Sequence, residues 1–457
     1  MPNSDAIKRA TPKIDQFWIR SLGFSKDLSR IKSLAQLEPA EQAFAAILRA
    51  DRAAAEKQLS NTTQKELLTE LNNLIQANNF ASLVYERIID LELTKYFLAP
   101  SNNVTTSTIE QIKVLAKTGA ISHFHLDQRF AKVLEIVKDH HNFALWIKGA
   151  ELSRRIYSPA YFRPYGDLDV VVKPSRVGLF IESLMQAGFR SFASPEYCHQ
   201  LGAGPVRKPV DLFLAPLAEW VPNSPITLSR KDGLTVDIKV GPFDRGIQAV
   251  EFERMFVDAQ TSTCLTSIYL APNNSDHLMI LLCNFSKDRF TSWKSAYDIH
   301  LLVAVMNKDP NSWKNFICSC KNESIAVTAY LGLSIAKDRL STEVPQHVLS
   351  ALAPNDFILS PLLSCTVSPA FVWNSTSLPM MILNIFSSSD RRRKLSILLR
   401  SIFPSQVFLR EYYSGDNGKP QKNCIKLLLR HWCILILPAG LVRRTVGKNW
   451  WSAEIEF

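Results

Sequence analysis

Asp167 and Asp169 stand two residues apart, directly after Gly166 and directly before Val170, Val171 and Val172. Side chains alternate across a strand, so residues i and i+2 face the same way with their Cα atoms about 6–7 Å apart. Two carboxylates at the mouth of an apolar strand repel each other unless a positive charge lies between them. A hard divalent cation such as Mg²⁺ takes oxygen ligands and keeps waters that a phosphate can displace. The pair therefore points to metal–phosphate chemistry rather than to a solvated strand end.

The surroundings fit that chemistry. An apolar strand is predicted over Ala144 to Ile147, stopped by Lys148-Gly149, followed by a short helix and then by the Asp strand. Gly149 would let backbone approach a phosphate without a Cβ, and the helix beginning there would aim N–H groups at negative charge. Lys148 adds a point charge, and Arg163 a planar donor for a triphosphate. Arg154-Arg155 reads as solvent-facing, with no role assigned.

Lys148-Gly149, a helix, and then Arg163-Pro164-x-Gly166-Asp167-Leu168-Asp169 together resemble the uncharacterised nucleotidyltransferase family of the DNA-polymerase-β-like superfamily. The resemblance implies that the Gly-bearing turns at Gly149 and Gly166 lie against the triphosphate, that the Asp pair binds Mg²⁺, and that a later strand supplies a third acid. Two segments offer one: Val210-Asp211-Leu212-Phe213-Leu214 and Leu234-Thr235-Val236-Asp237-Ile238-Lys239-Val240. The family's downstream spacing favours Asp237, with Asp211 as the rival, and either acid can instead pair with Lys208 or Lys239. Three such carboxylates would hold two Mg²⁺ ions about 3.5–4 Å apart, the arrangement that assists in-line displacement at phosphorus. The implied activity is transfer of a nucleoside monophosphate from an NTP, with ATP as the expected donor, to a hydroxyl acceptor. Where the family carries two histidines flanking a lysine, this chain has Asn284, Lys287 and Asp288, so Lys287 remains as the expected phosphate ligand. The similarity extends over residues 111 to 440 and includes Ser401-Ile402-Phe403-Pro404-Ser405 and Leu409 to Tyr413.

These residues need elements to position them. From Gln111 onward a helix with Phe130, Val133, Leu134 and Val137 on one face leads into the first strand. After the Asp strand, Pro174-Ser175 offers a helix cap, Val177, Phe180, Ile181 and Leu184 form the buried stripe, and Gly188 ends the helix. Two helices follow Asp276, one around Leu278 to Leu282 and one over Trp293 to Leu302. The expectation is an α+β chain: a helical region over 1–110, a small mixed-sheet nucleotidyltransferase core over 111–272, and a helical region over 273–457.

Composition sets the outer bounds. The chain has 457 residues, 46% apolar and 21% charged, which suits a folded protein with a sizeable core. Its net charge of +11 favours polyanionic partners. Residues 390–457 hold 13 Lys and Arg against 5 Asp and Glu, which leaves a nucleic-acid partner open at the C-terminal end. Arg391 to Lys394 itself reads as a solvated helix start, because no aromatic residues interleave it. The eight cysteines show neither Cys-x-x-Cys pairs nor zinc-like spacing to histidine, and His123, His125, His140 and His141 do not share a helix face. The N-terminus lacks an apolar secretory core, and Ile425 to Val442 is interrupted by Lys426, Arg430, His431 and Pro438, so a cytoplasmic chain without a membrane span is expected. P-loop, dinucleotide-binding and serine-hydrolase signatures are absent. The alternative reading is a non-catalytic scaffold of the same fold that binds nucleic acid, a peptide or a protein.

Overall fold

In the computed structural model the described residues are 37–60, 64–98, 108–191, 226–239, 252–288 and 290–353, with 399, 403, 428 and 429 as single positions beyond them. Helices α1 (Pro39–Leu48), α2 (Arg52–Ser60), α3 (Gln64–Ala77), α4 (Ala81–Asp90) and α5 (Thr94–Phe97) come first, then the long α6 (Thr108–Ile136). The chain continues through β1 (Ala144–Ile147), α7 (Gly149–Arg155), β2 (Asp167–Val172), α8 (Val177–Gln186), β3 (Arg190–Ser191), β4 (Ile226–Ser229) and β5 (Thr235–Lys239). There follow α9 (Phe252–Val257), β6 (Gln260–Cys264), β7 (Ser267–Ala271), α10 (Asn274–Lys287), α11 (Trp293–Met306), α12 (Pro310–Asn322), α13 (Ala326–Leu340) and α14 (Gln346–Leu352). Ala35–Pro354 forms one compact unit, to which all that follows belongs, and the boundaries expected at 110 and 272 both fall inside it.

The strands form one mixed sheet in the order β3-β4-β5-β2-β1-β7-β6, so the Asp strand lies at its centre. β2 runs antiparallel to β1 and parallel to β5, with Asp169 beside Asp237 and Asp167 beside Thr235. A central strand is covered on both faces, and accordingly every residue of β2 after Asp167 is buried. One face carries Ala144, Trp146, Leu168, Val170, Val172, Val236 and Ile238, packed against Phe130, Val133 and Leu134 of α6 and Phe180, Ile181 and Leu184 of α8. Strict alternation sends Asp167, Asp169, Asp237 and Lys239 to the other face. The apolar side of the sheet thus fixes the register that gathers the charged side.

The fold is α+β, with a mixed sheet between helical regions. Pro174-Ser175 is a departure from expectation, since Pro174–Arg176 is a 3₁₀ turn and α8 starts at Val177, with no side-chain cap on Arg176. The pyrrolidine ring suits a tight turn as well as a helix start, and here the turn lets the apolar stripe begin directly at Val177.

The helices before the sheet brace one helix after it. Tyr297 of α11 donates to the Leu48 carbonyl at 3.3 Å and packs edge-on to Phe80, while Trp293 packs edge-on to Phe44. Ser292 caps α11 by accepting from the Ser295 amide, and the Lys294 amide donates to Asn78 Oδ1 at 3.3 Å. α11 is therefore held in place before it contributes anything to the charged face.

Candidate active site

Asp167, Asp169 and Asp237 project from neighbouring strands onto one face, and their environments differ. Asp169 is only 5% exposed, and its Oδ1 accepts from Lys148 Nζ at 3.0 Å and from Lys239 Nζ. Burial pushes its pKa up, but the two ammonium groups outweigh burial and hold it below the ordinary carboxylate range. Lys239 is itself lowered to about 8, first by burial, with Asp169 pulling the other way and Lys148 adding repulsion. Asp237 accepts a hydrogen bond from Thr227 Oγ1 at 2.7 Å. Lys239, considered as a partner for Asp237, is instead bonded to Asp169.

Asp167 lies at the exposed end of β2 and makes no ion pair among the described residues. Its pKa is raised, first by the protein packed behind it and then by the charges of Asp169 and Asp237. The repulsion foreseen from the Asp-x-Asp spacing therefore falls mainly on this residue. In kind, carboxylate oxygens suit a hard cation, and of the three on this face only Asp169 makes an ion pair among the described residues. The side chains do not form a closed cage, since no group of three or more acidic, His or Cys side chains among the described residues is placed to hold an ion.

Lys148 owes its position to the turn between β1 and α7. Its backbone has φ 57°, ψ −131°, a region that side-chain-bearing residues avoid. The Lys148 amide donates to His277 Nε2 at 3.2 Å, and burial followed by the charge of Arg155 keeps that imidazole well below the usual histidine range, so it stays neutral and able to accept. Gly149 has a packing reason: a Cβ there would lie 2.6 Å from Tyr165 Cβ. Gly149→Ala is expected to destabilise the fold by about 1–3 kcal/mol through overpacking, since Tyr165 Cβ cannot swing aside. Thermal denaturation checks this, and an unchanged melting temperature would contradict the contact. Gly166 is different, because a Cβ there would meet nothing within 4 Å.

Arg163, expected as a triphosphate donor, is a buried structural cation. Its Nε and Nη2 donate to Asp298 Oδ1 and Oδ2 at 2.7 and 2.8 Å, and Nη1 donates to the Pro164 carbonyl at 2.9 Å. Tyr157 also donates to Asp298 Oδ1, at 2.7 Å. The bidentate pair ties the segment leading into Asp167 to α11. Arg154 and Arg155 do not face solvent. Arg154 donates to Asp127 of α6 at 2.6 Å, and Arg155 pairs with the buried Glu151 at 2.8 Å and donates to the Pro272 carbonyl at 2.7 Å. Together they fasten α7 to the elements on either side.

Lys287 is the last residue of α10, and its side chain lies outside the described residues, as do Asp211, Lys208 and the C-terminal stretches 390–398 and 404–427. Asn284 is half-buried within α10, and Asp288 caps its C-terminal end. Among the described residues, no helix is long and apolar enough to cross a membrane.

Sequence reasoning missed Asp298, Tyr157, Thr227 and His277. The signal for Asp298 was an acid placed among Ala296, Ile299, Leu302 and Val303 on a buried helix. No comparable pattern marked Thr227 or His277.

No curated protein and no solved structure matches the chain. A family model does: it begins within α3, includes the whole of the described carboxylate face, and ends at the residue after α13, short of the stretch at 401–413 that the resemblance had included. Matching residues 65–341, more than half of the chain, it shows that this protein belongs to the uncharacterised nucleotidyltransferase family.

Proposed function

We propose that the chain transfers a nucleoside monophosphate from ATP to a hydroxyl acceptor, with Mg²⁺ held by Asp167, Asp169 and Asp237. The observation that carries this reading is Asp167, without an ion pair among the described residues at the exposed end of β2, with Asp169 on the same strand and Asp237 on the neighbouring one on the same face. Bound there, Mg²⁺ would supply positive charge to the phosphates and to the acceptor oxygen.

The remaining work falls to the chain's own residues. The acceptor oxygen forms a bond to the α-phosphorus as the bond to the β-phosphate oxygen breaks, and pyrophosphate leaves. We assign the hydroxyl proton to Asp237, which Thr227 orients through Oδ1. Lys148 and Lys239 offset the charge of Asp169, so the face can accept a polyanion without first shedding its own negative charge. Gly166 leaves open space beside Asp167 where phosphate oxygens can approach. Arg163 acts at one remove, by anchoring the segment that ends in Asp167.

A second reading has a specific observation in its favour. The two ammonium groups on Asp169 already satisfy a carboxylate that catalysis needs for metal, as in a scaffold that no longer turns over. Ligand-induced stabilisation separates the two. At a ligand concentration of 100 times Kd, binding adds about 2.7 kcal/mol, or roughly 3–4 °C in melting temperature for a protein of this size. The catalytic reading expects that rise with ATP and Mg²⁺ together. A flat response to ATP, GTP, CTP and UTP, each with Mg²⁺, would leave the scaffold reading in its place.

A further inference from the structure

Lys294 is a cation near Asp167 and Asp298 that the proposed reaction has not used. It is the second residue of α11, with its amide pinned to Asn78, and its half-buried side chain makes neither an ion pair nor a hydrogen bond among the described residues. One turn further along the same face, both oxygens of Asp298 already accept from Arg163 and Tyr157, and no hydrogen bond joins Asp298 to Lys294. Arg163 in turn leads through Pro164, Tyr165 and Gly166 to Asp167.

A partly desolvated ammonium without a partner is unfavourable. The effect is visible in its acidity: burial, then repulsion from Arg163, lowers Lys294 to about 8, with Asp298 and Asp167 only partly offsetting them. Such a group is stabilised when an anion arrives, and the open space beside Gly166 is where one can enter. Asp167 stands at the exposed end of β2, while every later residue of the strand is buried, so that end is the side of the face open to the terminal phosphates of a bound triphosphate. The charge arriving there is negative, and Lys294 makes no ion pair among the described residues that would compete with it.

We infer that Lys294 contacts the terminal phosphates of the nucleoside triphosphate. The inference rests on the nucleotidyl-transfer reading for the identity of the ligand, and on the position of Lys294 for the contact.

Isothermal titration of the full chain with Mg²⁺ present tests it, using ATP, AMP and inorganic tripolyphosphate as probes. Lys294→Met should weaken ATP and tripolyphosphate on the order of ten- to a hundredfold, the scale of one charge-assisted hydrogen bond, and leave AMP unchanged. Lys294→Arg should restore most of the affinity, because it returns the charge at nearly the same reach. Lys294→Gln provides a second neutral variant if the Met side chain disturbs folding. Wild-type ATP affinity in a folded neutral variant overturns the contact, and so does a loss shared equally by AMP. An unmodified chain that binds tripolyphosphate in a Lys294-dependent way but no nucleoside triphosphate keeps the contact and removes the nucleotide reading. Binding of neither by the unmodified chain removes both.

Discussion

Asp167→Asn is expected to lower Mg²⁺-dependent pyrophosphate release by about a thousandfold or more, the scale of losing several kcal/mol of charge stabilisation at the reacting phosphate. The fold should be untouched. Asp167 is exposed and bonded to no cation among the described residues, and its pKa is raised by the protein behind it and then by Asp169 and Asp237. A carboxylate whose folded pKa lies above its unfolded one makes ionisation a penalty to the folded state. That penalty is present above the folded pKa and absent below the unfolded one. Removing the charge at neutral pH should therefore leave the melting temperature unchanged or slightly higher. Asp169→Asn is a poorer probe, because it strips the counter-charge from Lys148 and Lys239 and mixes stability with chemistry. Wild-type turnover in Asp167→Asn, measured as released pyrophosphate, would remove the proposed mechanism.

Asp298→Asn should be the most destabilising of the single substitutions considered. Asp298 is 1% exposed and Arg163 7%, so the substitution leaves a buried guanidinium without its anion and weakens the Tyr157 bond. Breaking a buried pair from one side costs about 3–5 kcal/mol, which corresponds to a fall in melting temperature of roughly 5 °C for a protein of this size. Replacing both partners by apolar residues of similar volume, Arg163→Met with Asp298→Leu, should recover much of that stability, since no uncompensated charge remains. The double variant should still be impaired in turnover, because the segment entering Asp167 loses its bidentate anchor. A melting temperature for Asp298→Asn within about 2 °C of the unmodified chain would show that the pair contributes little.

What could be read from the sequence was whatever follows from short periods. Alternation placed Asp167 with Asp169 and Asp237 with Lys239, and the valine run marked the central strand, so the charged face was implicit in two short segments. The buried stripe of α8 was equally plain, with Gly188 ending it at φ 91°. Pairings between distant positions were not readable. Nothing local in Arg163 says that its partner lies on a helix 135 residues later, and paired arginines look the same whether they face water or fasten a short helix. The β6–β7 hairpin was also missed, because Gln-Thr-Ser-Thr-Cys is an edge strand with exposed residues on both faces and lacks alternation. Gly149 was assigned to phosphate approach, whereas its contact with Tyr165 depends on how the chain folds back over α7.

Two ammonium groups meeting on a single oxygen of Asp169 would, if the face holds Mg²⁺ as proposed, separate assembly from supply of the metal. A centre whose most deeply placed acid depended on dissolved ions for neutrality would fold well only where those ions were plentiful. Here the counter-charges are encoded in the polypeptide, so under the proposed function a newly made molecule would mature under ion scarcity and would respond later, on the arrival of divalent ions and their polyanionic cargo.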